Sequence, residues 1–129
     1  SGNTTITYSA TTSSTIELVI SVWSNVTASG DPVTAHQVAT SGAGTATTIT
    51  TPSLSYAAGQ LLVGSGGVAT GGVVANIWSN AQSDNAVGTE TNVNLSYVIA
   101  TATTNTTLTA TGNGSLHAIR ATVLALDHL

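Results

Sequence analysis

The feature that most constrains the fold of this chain is an alternation of apolar and polar residues with a period of two. Towards the C-terminal end, Ile119, Ala121 and Val123 alternate with Arg120 and Thr122. Successive side chains of a β-strand point to opposite faces, so this period predicts strands, and no segment has a convincing helical period. The predicted strands cover residues 4–9, 16–23, 36–40, 45–50, 61–64, 73–79, 93–99, 106–111 and 119–125.

About nine short strands are typical of a two-sheet antiparallel β-sandwich with a jelly-roll-like topology. Turn signals lie between them: Ser29-Gly30-Asp31-Pro32 favours a turn, and Thr51-Pro52-Ser53 interrupts pairing because proline cannot donate to a ladder. The length of 129 residues is that of one domain with a hydrophobic core. We therefore expect a single all-β domain over residues 1–129.

Charged residues are rare in this sequence. Only 5% of the residues are charged, against roughly 25% in an ordinary globular protein, and Arg120 is the one cation beside five acidic residues. Such a chain cannot neutralise a phosphate backbone, so we expect no nucleic-acid partner, and for the same reason no anionic membrane surface. The surface is expected to consist of hydroxyl and amide groups.

Catalytic constellations are not evident in the sequence. A Ser-His-Asp triad can be composed from His36 or His117 with Asp31 or Asp84, but no nucleophile elbow singles out a serine. The glycine-rich run 64–72 lacks the lysine of a phosphate-binding loop. Cysteine is absent, and no acidic or histidine spacing matches a metal cage. We expect no enzymatic activity, no cofactor and no metal.

Two tryptophans are the strongest candidates for binding. Trp23 and Trp78 each open the tripeptide Trp-Ser-Asn, which places Asn25 and Asn80 beside them near predicted strand ends. A tryptophan on a sandwich rim can stack on a sugar ring or anchor a protein interface, while the neighbouring asparagine binds hydroxyl groups. The simpler interpretation is that both rings belong to the core or to an interface, because tryptophan buries a large area.

Glycosylation sequons give a further indication of a surface role. Asn-x-Ser/Thr occurs at Asn3, Asn25, Asn94, Asn105 and Asn113. These sites are relevant only if the source organism glycosylates its secreted proteins. A glycan is therefore a candidate partner.

Several segments resemble a known group of proteins. Val19-Ile20-Ser21-Val22-Trp23 followed by Gly30-Asp31-Pro32-Val33, the run from Thr51-Pro52 to Gly59-Gln60-Leu61-Leu62-Val63, and Asn94-Leu95-Ser96-Tyr97-Val98-Ile99-Ala100-Thr101 are similar to strands of jelly-roll-like modules in tailed-phage virion proteins and some bacterial secreted proteins. Two positions depart from that group: Gln60 replaces its usual aspartate, and Val98 stands where arginine is frequent.

The resemblance implies a virion structural protein without catalytic residues. We expect a capsid decoration (cement) protein or a small tail or fibre module, located in the virion or outside the cell. Its partners would be other capsid or tail proteins and copies of itself, with a trimer as the preferred oligomer. The alternatives are a carbohydrate-binding or adhesive module, and a subunit of an extracellular filament or surface layer.

Overall fold

The computed structural model describes Asn25 and residues 31–42, 44–68, 73–80, 85–89, 93–112 and 118–128, and these ranges contain ten strands and no helix. The strands are β1 (Val33–Thr40), β2 (Thr48–Thr50), β3 (Leu54–Tyr56), β4 (Leu61–Val68), β5 (Val73–Trp78), β6 (Asn85–Thr89), β7 (Val93–Ile99), β8 (Thr104–Thr106), β9 (Leu108–Gly112) and β10 (Ile119–Leu126).

The larger sheet has five antiparallel strands in the order β1-β10-β4-β7-β6. Its centre is regular, since β10 pairs with β4 from Ile119 opposite Val68 to Leu126 opposite Leu61 without a shift. The sheet can hold this register because β10 keeps the period of two in its burial and because Gly64 of β4 lets side chains from the other sheet approach closely.

The second layer consists of a three-stranded sheet, β2-β9-β5, and a two-stranded sheet, β3-β8. These two sheets nearly continue each other, because β2 and β3 are separated only by residues 51–53, and β8 and β9 only by Thr107. Pro52 lies in this break, as the sequence predicts, and offers no N–H group to a neighbour. The second layer packs face to face on the larger sheet, mainly through contacts of β9 and β5 with β10, β4 and β7.

The core lies between the two layers. Leu62, Val98, Leu108 and Val123 point inward from four different strands and are buried. Trp78 reaches across from β5 onto β4, where a Cβ atom at position 64 would lie 2.8 Å from its Cζ2 atom. Glycine is therefore required at position 64, because any larger residue would displace the ring.

The all-β class and the antiparallel two-layer arrangement are confirmed in this structure. Three short strands, β3, β6 and β8, were not expected from the alternation, since three to five residues provide too little of a period. The predicted strands at 4–9 and 16–23 lie outside the described residues. The jelly-roll connectivity and the single-domain boundary stay predictions.

Candidate functional site

Trp78, one of the two predicted anchors, is a core residue. Its side chain is only 5% exposed and packs with Leu108 over Gly64. Its indole N–H has no hydrogen-bond partner among the described residues. This placement agrees with the simpler interpretation of Trp78 and leaves its ring without a face for stacking on a sugar.

Asn80, the second member of that Trp-Ser-Asn sequence, binds within the protein. Its amide group donates to the Tyr56 hydroxyl, and its Oδ1 atom accepts from the Thr106 hydroxyl at 3.3 Å. Thr106 is buried and Asn80 is half-buried. Asn80 therefore links the end of β5 to β3 and β8, because Tyr56 and Thr106, its hydrogen-bond partners, lie on those two strands.

The other Trp-Ser-Asn sequence is described only in part. Trp23 lies outside the described residues, so its predicted role stays a prediction. Asn25 is exposed and has a φ of 60°, the left-handed conformation that asparagine tolerates better than most residues. The structure thus places Trp78 and Asn80 inside the fold and Asn25 on its surface.

The described sequons differ in accessibility. Asn94 is only 8% exposed and faces the interior, where its backbone carbonyl accepts from the Asn76 amide at 3.0 Å. Asn105 is exposed on β8, although its Oδ1 atom accepts from the Ser55 hydroxyl at 2.8 Å. A glycan fits the surface at Asn25 and Asn105 but not at Asn94 in the folded protein; Asn3 and Asn113 lie outside the described residues.

The outward face of the larger sheet is apolar as well as its inward face. On β4 the consecutive residues Leu61, Leu62 and Val63 are all buried, although successive residues point to opposite faces. Val38 and Ile99, on the same outward face, are 37% and 40% exposed. The remaining outward apolar residues are half-buried: Val93, Leu95, Tyr97, Leu124 and Leu126. Because Leu61 and Val63 are already buried within the chain, a partner can reach this apolar face at its exposed residues Val38 and Ile99, which form a candidate contact surface.

A group of hydrogen-bonded polar residues lies around Gln60 at one end of the larger sheet. The Gln60 amide nitrogen donates to the Thr34 hydroxyl and to Asp127 Oδ1, both at 2.9 Å, while its Oε1 atom accepts from the Ala57 N–H. Asp127 in turn donates its N–H to the Pro32 carbonyl at 3.0 Å. An aspartate at position 60 could not donate to Asp127.

A pocket that the sequence alone did not indicate lies at the opposite end of the same sheet. It has a volume of about 290 Å³ and an apolar lining that includes Val68, Val93 and Ile119. Arg120 also lines it, with an exposed side chain that has no ion pair or hydrogen bond to any described residue. We name this the Arg120 pocket. The only hint in the sequence is that Arg120 is the chain's sole cation.

Other kinds of site are not evident in the described ranges. His36 lies exposed on the outward face of β1, opposite Leu124 of β10. No group of three or more histidine, aspartate or glutamate side chains in the described part of the chain could hold a metal ion. In the same residues there is no helix with the length and hydropathy of a membrane span.

Comparison of the chain with protein families, with curated proteins and with solved structures yields no match. The geometry and the chemistry of the chain are therefore what a functional assignment has to rest on.

Proposed function

We propose that this protein is a non-catalytic structural component of a tailed-phage virion, either a capsid decoration (cement) protein or a small tail or fibre module with a jelly-roll-like sandwich. The observation that carries the proposal is the apolar outward face of the larger sheet. Its exposed apolar side chains, Val38 and Ile99, gain free energy when a second surface covers them. The partner would be a capsid or tail protein.

The low charge of the chain supports the same assignment. Charged residues are depleted in the centre of protein interfaces because burying them without a partner is costly. Here the described outward residues of β4 and β7 are apolar, hydroxyl-bearing or glycine, and Arg120 is the only charged residue within β1, β4, β7 or β10. Arg120, near the beginning of β10, is therefore the one charge on these four strands that a partner covering this face would have to accommodate.

The carbohydrate-binding alternative loses one of its two anchors. Stacking on a sugar requires an accessible aromatic face, and Trp78 is enclosed in the core. The proposal of a surface-layer or filament subunit differs from the virion proposal in the partner and not in the mode of binding.

The test is a count of this polypeptide in purified particles of the phage whose genome encodes it. Quantitative mass spectrometry of density-gradient-purified virions should find it at a fixed ratio to the major capsid or tail protein. Purified protein should also rebind to particles from which it has been stripped. If the polypeptide is absent from purified virions, the proposal is wrong.

A further inference from the structure

The one cation and two of the acidic residues of this chain lie at opposite ends of the same pair of strands. Arg120 is at the beginning of β10, opposite Thr40 at the end of β1. Asp127 directly follows β10, and its N–H binds Pro32, which precedes β1 and is adjacent to Asp31. Arg120 and Asp127 are seven positions apart along extended strand, a distance of about 23 Å.

The two ends are complementary in charge. The Arg120 pocket holds a guanidinium without a described partner, above a lining of Val68, Val93 and Ile119. At the other end, Asp31 and Asp127 are exposed, and each has one carboxylate oxygen engaged, Asp31 Oδ1 by the Val33 N–H and Asp127 Oδ1 by Gln60. The second oxygen of each aspartate has no donor among the described residues, and a guanidinium is the donor that fits a carboxylate best.

From this placement we infer that copies of this chain associate head to tail, with Asp127 of one copy entering the Arg120 pocket of the next. The inference rests on the proposed function, because it specifies how copies of the structural protein contact one another. A contact between two different surfaces is heterologous, and it closes into a ring when the rotation between copies permits. A trimer is the smallest such ring.

A second copy is the occupant that the charges favour. With a net charge of −4, identical copies repel one another unless their contacts place an acid on a cation, and Arg120 is the only cation that a copy offers. The pocket of about 290 Å³ can take an aspartate side chain beside Val68, Val93 and Ile119, and a second copy seated on it would partly bury the ion pair. Partial burial makes such a pair stronger than one on an open surface.

The first measurement is the self-association of the whole chain by sedimentation equilibrium over a range of concentrations. Arg120→Gln should weaken association about tenfold or more, since it leaves Asp127 without its partner. Ser55→Glu is the control, because it changes the net charge by the same one unit at an exposed position on β3, in the other layer. This control should associate like the parent protein.

Charge reversal identifies the partner. Arg120→Glu and Asp127→Arg should each abolish association alone, with circular dichroism and melting temperature showing that both variants are folded. An equimolar mixture should associate again into pairs or even-numbered rings, in which every contact joins the two variants, because each variant carries the charge that the other one needs. The inference is overturned if Arg120→Gln associates like the parent, or if the mixture stays as dissociated as its components.

The outcomes separate this inference from the proposed function. If the parent chain associates and binds particles while the Arg120 and Asp127 variants do the same, only the head-to-tail contact is wrong. If the parent chain neither associates nor occurs in virions, both proposals fail.

Discussion

At the scale of single residues, Gln60 shows how a neutral side chain can link several chain segments by hydrogen bonds in a protein with almost no cations. Its amide group both donates and accepts, which lets it join Thr34, Ala57 and Asp127. A lysine or an arginine commonly fills such a position beside an aspartate. Glutamine supplies the hydrogen bonds without adding a charge.

Replacing Gln60 with glutamate should make the stability of the protein depend on pH. At pH 7 the Gln60→Glu variant places a second carboxylate against Asp127 and loses both donated hydrogen bonds, so its free energy of unfolding should fall by about 1–2 kcal/mol. The like charge raises the pKa of the new carboxyl in the folded state above its unfolded value of about 4.3. The repulsive part of the loss is therefore absent below that unfolded value and grows as the pH rises through the folded pKa.

Urea unfolding at pH 7 and near pH 3.5 measures this dependence. Gln60→Met keeps the length of the side chain without an amide or a charge, so its difference from the parent protein should be the same at both pH values. A Gln60→Glu deficit that does not shrink at the lower pH would contradict the expected repulsion from Asp127.

At the scale of elements, the break in the second layer is the informative feature. The sequence predicts the interruption at Thr51-Pro52-Ser53, because the reason is local: proline has no N–H group. The sequence does not predict which groups accept hydrogen bonds from the backbone N–H groups of the neighbouring strands. The Leu108 N–H donates to the Thr51 hydroxyl at 3.0 Å, and the Thr107 N–H donates to the Ser79 hydroxyl at 2.9 Å. These contacts join residues distant in the chain, which no local pattern encodes.

The Thr51 hydroxyl should contribute measurably to the joint between β2 and β9. Thr51→Val keeps the shape of the side chain but leaves the buried Leu108 N–H without its acceptor, which should lower the free energy of unfolding by about 1–3 kcal/mol. Thr50→Val is the matched control next to it. Among the described residues its hydroxyl bonds to Thr109 at the surface, so the change should stay within about 0.5 kcal/mol. Equal losses in the two variants, measured by chemical unfolding, would refute this role of Thr51.

At the scale of the whole molecule, composition predicted more than motifs did. The period of two and the scarcity of charge were sufficient for the all-β class and for a surface without cationic patches. The Trp-Ser-Asn motif pointed to Trp78 as an anchor, yet Gly64 on a distant strand opens the space that encloses its ring. The Arg120 pocket could not be found from sequence either, since four separate segments converge on it.

The last prediction concerns the outward face of the larger sheet. The double variant Val38→Lys and Ile99→Lys adds two cations to this face at residues that are already exposed, so the protein should still fold. Burying an apolar side chain at an interface contributes roughly 1.5 kcal/mol or more, and burying an unpaired lysine costs more, so binding to stripped virions should weaken at least about tenfold. Ile77→Lys is the control, because Ile77 is 57% exposed on the opposite layer and should bind particles like the parent. A double variant that binds particles as well as the parent, in a cosedimentation assay at several concentrations, would show that the partner contacts another face of the protein.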